Sequence, residues 1–258
     1  MSSKLGPLAL ISLVREVRRG SGDQRPLAVA GARELLPIIA RQLREGGDAS
    51  AVVEGRLESV AALVWVGPPD EDALRAANRA GVPIVAVSDA DEIPYVLATD
   101  IVHVPPGQGF PVDEIAHAVA RRLGENGTAL AARLPVLRRA VCDELIRSFS
   151  KKNAIISAAI FIPGVDMPVL TLNQARLVLR IALAYGQEID KERAVELIGV
   201  VGAGFGMRAV ARELLDFVPV AGWAMKGAIA YAGTKAIGEA AVRYFEARAE
   251  PGSVRSRT

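Results

Sequence analysis

The chain has 258 residues, of which 51% are apolar but only 5% aromatic, and its mean hydropathy is +0.27. That hydrophobicity comes from Ala, Val, Leu and Ile, which suits packed helices and parallel strands better than a β-sandwich. One cysteine, Cys142, and two histidines, His103 and His117, exclude a disulfide framework and a Cys/His metal cluster. The net charge of +2 hides an asymmetry: residues 1–130 hold 13 Lys+Arg against 17 Asp+Glu, and residues 131–258 hold 18 against 12. An acidic half followed by a basic half implies two units with different partners.

The start, MSSKLGPLALISLVREVRRG, lacks a signal-peptide layout because its basic residues follow the short apolar run. Leu10, Leu13, Val14 and Val17 share one face, so residues 8–19 read as an amphipathic helix. It is either a docking helix over the core or a membrane-surface anchor. With the Gly-Ser-Gly break after it, this segment occupies residues 1–24.

From Arg25 the rhythm changes. The spacing predicts a strand at Leu27–Ala30, a helix from Gly31 to Leu43, a weak strand at Ala51–Val53 and a buried strand at Val60–Val66. A helix over 71–79, a strand at Val82–Val87 and a short helix near Glu92–Ala98 follow. Next come a strand at Ile101–Val104, with His103 packed inside it, and a helix ending near Leu123 that carries a solvated His117. Apolar strands alternating with helices predict a doubly wound, mainly parallel sheet over residues 25–124, with ligands at the strand carboxyl ends.

Residues 124–132 begin as a linker, and strand signals then vanish. Helices are predicted over Pro135–Ser148 and Asn153–Ile162. Asp166 reads as an N-cap for a helix from Met167 to Tyr185, with Pro168 in its first turn. Asn173, Arg176 and Arg180 form a narrow polar stripe on this otherwise apolar helix, so it is buried on most sides. Asp190 caps the next helix, through Leu197 and Val201. A glycine-dense break at Gly202–Gly206, a helix through Leu215, and a long last helix from Trp223 to about Ala247 complete a multi-helix bundle over 133–247. Residues 248–258 read as a disordered basic tail. The fold class expected is therefore α/β plus all-α.

Asn153–Leu172 carries one charge, Asp166, and two prolines. Twenty helical residues would span about 30 Å, a bilayer's hydrocarbon core. The Pro163-Gly164 turn and Asp166 instead suit a helical hairpin, either buried in a bundle or dipping into a membrane and returning.

Phosphate chemistry is poorly provided for. A P-loop needs G-x-x-x-x-G-K-[ST], whereas counting from Gly31 the last three positions are Leu36-Pro37-Ile38. Gly202-Ala-Gly-Phe-Gly206 follows a helix, not a strand, and has the wrong spacing for a dinucleotide fingerprint. Ser88-Asp-Ala-Asp91 follows a strand where a GTPase carries N-K-x-D, with Asp91 in the matching place; the favoured reading is that Ser88 or Asp91 caps the following short helix. Candidates for a ligand at the sheet edge are Gly31, Ser88, Asp91, Gly107, Gln108 and Gly109. No catalytic residue, metal or cofactor is assigned.

From Leu134 to Phe245 the chain resembles the uncharacterised YcjF-like helical domain that often accompanies Era-like GTPase domains. The residues carrying the likeness include Pro163-Gly-Val-Asp-Met-Pro-Val-Leu170, Asn173-Gln174, Ile181-Ala-Leu-Ala-Tyr-Gly186, Gly202-Ala-Gly-Phe-Gly-Met-Arg208 and Val218-Pro-Val-Ala-Gly-Trp223. The resemblance implies a bacterial origin, GTPase-like neighbours and frequent placement at the inner membrane. Residues 25–124 are similar, through strand order and the position of Asp91, to a degenerate GTPase domain.

The function expected is a non-enzymatic scaffold or regulator that pairs a pseudo-GTPase domain with a hydrophobic helical domain. The alternative is an unorthodox nucleotide-binding switch. A protein partner or homo-oligomer is expected, with an anionic membrane surface as a further partner and no nucleic acid. The expected location is the cytoplasm, including the inner face of the cell membrane. Asp166, Asn173, Arg176, Arg180, Arg208 and Trp223 are the expected structural or interaction residues.

Overall fold

The computed structural model describes residues 7–20, 22–104, 107–159, 167–204 and 223–249. The chain divides into two compact units, Ser21–Glu144, and Met1–Gly20 together with Leu145–Thr258.

The first unit is built on five parallel strands: β1 (Leu27–Gly31), β2 (Val52–Glu54), β3 (Ala62–Val66), β4 (Ile84–Val87) and β5 (Ile101–Val102), in the order β2-β1-β3-β4-β5. This is the flavodoxin-like doubly wound order. The three central strands are buried almost throughout, because crossover helices cover both faces of such a sheet and leave no position for polar alternation.

The crossovers include α2 (Leu36–Leu43), α3 (Glu71–Arg79) and α4 (Val112–Leu123). Asp70 starts α3 by accepting from the amides of Asp72 and Ala73, each at 3.1 Å. The helix after β1 begins at Leu36 rather than at Gly31. Residues 32–35 form a turn, with the Ala32 amide donating to the Val66 carbonyl at 2.8 Å. Gly31 has φ +118°, and a Cβ there would stand 2.1 Å from the Val66 oxygen, so close contact between β1 and β3 demands glycine.

Three local expectations change. Residues 92–97 form turns instead of a helix, and only Ala98–Asp100 coils into a 3₁₀ turn. The last strand stops at Val102, which leaves His103 exposed and outside the core. Residues 124–132 are not a linker: a 3₁₀ turn at Gly124–Gly127 leads into α5 (Thr128–Arg133), where Thr128, Ala129, Leu130 and Ala131 are buried.

Arg133 explains why this segment stays with the sheet. Its guanidinium meets Asp48 at 3.0 Å, its backbone carbonyl accepts from the Asp48 amide at 2.9 Å, and it donates to the Gln24 carbonyl at 2.9 Å. The division between units accordingly falls at residues 144 and 145, later than the linker composition implies.

The second unit contains α1 (Pro7–Gly20), the later part of α6 (Arg138–Ala159), α7 (Met167–Ala184), α8 (Lys191–Gly204) and α9 (Trp223–Ala249). The two helices expected over 135–148 and 153–162 are one continuous helix, because nothing in Phe149–Lys152 breaks the hydrogen-bond ladder. Gly202–Gly204 continue α8, so glycine does not interrupt the chain there.

Contacts set the helix directions. A Cβ at Gly227 would approach the Ala154 carbonyl at 3.2 Å, and one at Gly238 would meet Ile146 at 2.5 Å, so α6 and α9 run antiparallel. Leu177 also faces Gly238, and Tyr185 stacks on Phe245, so α7 and α9 run parallel. Asp190 caps α8 as expected, accepting from the Arg193 amide at 2.7 Å. Asp166, Arg208, the Pro163-Gly164 turn, the helix expected through Leu215 and the tail from residue 250 lie outside the described residues, as does the side chain of Trp223.

Among the described residues no helix is long and apolar enough to cross a membrane. Arg176 and Arg180 interrupt α7 as its sequence implies.

Candidate functional site

In a doubly wound sheet the loops leaving adjacent strands part to opposite sides where the strand order reverses, opening a crevice at the carboxyl edge. In the order found here that point lies between β1 and β3, and an open cleft of about 430 Å³ sits at this edge. Leu35, just before α2, and Ile38 and Gln42 on it, at i, i+3 and i+7, form one wall. Val66-Gly67 and Val87-Ser88-Asp89, at the ends of β3 and β4, form the floor, and Val104 with Gln108–Phe110 closes the far side.

The polar complement is small. Ser88 is 4% exposed, and its hydroxyl accepts from the Ala90 amide at 3.3 Å, so it shapes a local turn instead of capping a helix. The Gln42 Oε1 atom is buried without a hydrogen-bond partner. Among the described residues that line the cleft, the exposed Asp89 is the one carboxylate and none is Lys, Arg, His or Cys. Among the described residues, this lining offers no paired acid and base and no cation against which a phosphate could rest.

The expected edge residues separate. Ser88, Gln108 and Gly109 line the cleft. Gly31 is close by at the end of β1, where strand packing accounts for it. Asp91 is exposed beyond the lining, and Gly107, at φ +76°, is an open turn position. Gln42 was not legible in the sequence as a site residue; its place four residues after Ile38 on the α2 face was the available signal.

The helical unit carries a second polar constellation. Asn153 on α6 donates to the Thr234 hydroxyl on α9 at 2.9 Å and accepts from Asn173 on α7 at 2.9 Å. Arg176 donates to Asn173 at 2.7 Å and to Glu16 on α1 at 2.8 Å. Two members of the expected stripe, Asn173 and Arg176, therefore belong to one chain of hydrogen bonds joining four helices. Arg180 is partly buried one turn further on and engages elsewhere. Asn153 was not legible as a member, although it shares a buried face of α6 with Ser150 and Ser157 at i−3 and i+4, and Thr234 is buried on α9. This network ties the fold together, and within it the Arg176 Nε atom is buried without a hydrogen-bond partner.

No group of three or more His, Cys, Asp or Glu side chains is placed to hold a metal among the described residues. Cys142 is wholly buried.

A flavodoxin-like α/β unit with a cation-free cleft, continuing into a bundle tied by buried polar contacts, defines a two-unit α/β plus all-α protein. The family model described as a domain of unknown function, DUF697, matches residues 121–256. The chain belongs to that family, in keeping with the expected membership of an uncharacterised helical family. No curated protein and no solved structure matches it.

Proposed function

We propose that the protein is a non-enzymatic regulatory scaffold, in which the α/β unit reads a small molecule and the helical unit engages a protein partner or an anionic membrane surface. The observation that carries this reading is the cleft itself. It occupies the edge where doubly wound folds place their chemistry, yet its lining pairs no acid with a base and includes no cation.

The nucleotide switch drawn from the GTPase likeness has the same lining against it, and the flavodoxin-like strand order as well. In this reading the α/β unit stands where an active GTPase domain accompanies related helical domains. Ile155, Val169, Val195 and Val200 on α6, α7 and α8 are large apolar side chains left exposed, which favours a partner-binding role for the helical unit.

Calorimetric titration with Mg-GTP and Mg-ATP, combined with phosphate-release assays, tests the non-enzymatic part. Neither binding nor turnover is expected. A micromolar Kd abolished by Asp91→Ala would establish the switch instead. Flotation with vesicles of anionic and of zwitterionic lipid, alongside carbonate washing of cell membranes, tests the helical part. Release by salt or carbonate is expected; retention until detergent is added would overturn a surface-bound helical unit.

A further inference from the structure

We propose that the groove between α1 and α8 binds the phosphate group of a phosphate ester, with the arginines of α1 as its donors. This rests on the reading that the helical unit engages an anionic surface, and goes on to say where the anion lies and what chemistry it has.

The groove is open, has a volume of about 630 Å³ and lies wholly within the helical unit. Arg15, Arg18 and Arg19 line it from α1, and Asp190, Lys191 and Glu192 line it at the start of α8. Helical spacing puts Arg15 one turn from both Arg18 and Arg19, with Cβ atoms about 5–6 Å apart, so three guanidinium groups share one wall. All four cations are exposed, and a ligand reaches them without rearrangement.

The rotation of α1 decides the charge of that wall. Leu13 and Val17 are buried, and Glu16, the one carboxylate of α1, pairs with Arg176 of α7 at 2.8 Å instead of lining the groove. The charged side chains that α1 gives to the groove are therefore all positive. On the facing wall Asp190 is engaged, accepting from the Arg193 amide at 2.7 Å. The α1 dipole accounts for cations in its last turn, where Arg18 and Arg19 lie, but not for Arg15 or for Lys191 across the groove. Four cations against Asp190 and Glu192 leave the described lining two positive charges in excess, which a phosphate ester offsets. Guanidinium forks match phosphate oxygens bidentately, and a tetrahedral phosphate has oxygens enough for several arginines at once.

The test gives the full-length protein two phosphate sources, phosphatidylcholine vesicles doped with phosphatidylglycerol and free glycerol 3-phosphate, with succinate as a dianion that lacks phosphate. Replacing Arg15, Arg18 and Arg19 together by Gln should weaken binding of the recognised source by at least about tenfold. Lys191→Gln should weaken it severalfold, and reports on the groove even where the triple variant fails to fold. Removing the same charge from α9, with Lys235, Arg243 and Arg248 changed to Gln, should alter binding less than about twofold. Glycerol 3-phosphate that shifts the amides of Arg15, Arg19 and Lys191 and displaces the protein from vesicles assigns a soluble ester. Vesicle binding that it leaves untouched, yet that the groove variants abolish, assigns a lipid headgroup. Equal losses in the groove and α9 variants, succinate binding as tightly as glycerol 3-phosphate, or no binding of either source would each overturn the proposal. Vesicle binding that survives every groove variant would remove the groove while the anionic-surface reading stands, and groove binding of the free ester without vesicle binding would do the reverse.

Discussion

Asn153 donates its side-chain amide to the Thr234 hydroxyl across 2.9 Å, and both residues are wholly buried although 81 positions separate them. The Asn153 oxygen is occupied by Asn173, so this one side chain ties α6 to both α7 and α9. A buried polar group earns its place only when its partners are present, and here each truncation orphans another group.

Asn153→Ala should therefore cost about 1–3 kcal/mol for each partner left unsatisfied. Thr234→Val should be similarly damaging. Because both changes remove the same bond, the double variant should lose less than the two single losses together, with a coupling of about 0.5–3 kcal/mol. Urea unfolding of the four proteins measures it, and strict additivity would show that the contact contributes nothing.

Gly238 tests how closely three helices meet. A Cβ there would lie 2.5 Å from the Ile146 Cγ1 atom and 3.1 Å from Leu177. Gly238→Ala should cost about 1–3 kcal/mol through overpacking, despite the better helix propensity of alanine. Combining it with Ile146→Ala should recover part of that loss by vacating the space. Thermal midpoints that simply add would refute the steric account.

Two glycines with positive φ should respond differently to alanine. At Gly31 the added methyl would collide with the Val66 backbone, so Gly31→Ala should cost about 3 kcal/mol or more. At Gly55, φ is +69° but nothing lies within 4 Å, so only backbone strain of about 1–2 kcal/mol applies. Equal losses in denaturant melts would contradict the strand-packing explanation of Gly31.

Asp48 gives the α/β unit an acid-sensitive contact. Hydrogen bonds from the Ser50 side chain and amide, then Arg133, hold its carboxyl below the ordinary value of 3.8. A depressed folded-state pKa means the stabilisation is present above the unfolded value and is lost as pH falls through the folded one. The acid limb of stability below about pH 4 should thus be shallower in Asp48→Asn. Denaturant midpoints measured between about pH 2 and 6 check the sign, and an unchanged limb would place the acid sensitivity elsewhere.

The α/β class was legible because strands buried on both faces must be continuously apolar, and Ala62–Val66 and Ile84–Val87 are. Helix α3 was legible over residues 71–79, the bounds it has, and the Asp70 cap that starts it came from the structure. The polar stripe of α7 was visible too, since Asn173 and Arg176 recur at helical spacing. Local spacing could not say that α6 continues through Phe149–Lys152, where two helices were expected, nor that Glu92–Ala98 would turn instead of coil. Propensity is a weak prior there, and packing decides.

The chain by itself also shows that Leu36-Pro37-Ile38 stand where a P-loop would carry Gly, Lys and Ser or Thr. Only the tertiary structure decided what the sheet edge contains. The cleft draws Gln42, Val66, Ser88 and Phe110 from separate elements, and parallel pairing with crossovers is what gathers them. The same holds for Asn153 and Thr234. A side chain's hydrogen-bond partner is a property of distance in space, and the sequence encodes that distance only through the whole fold.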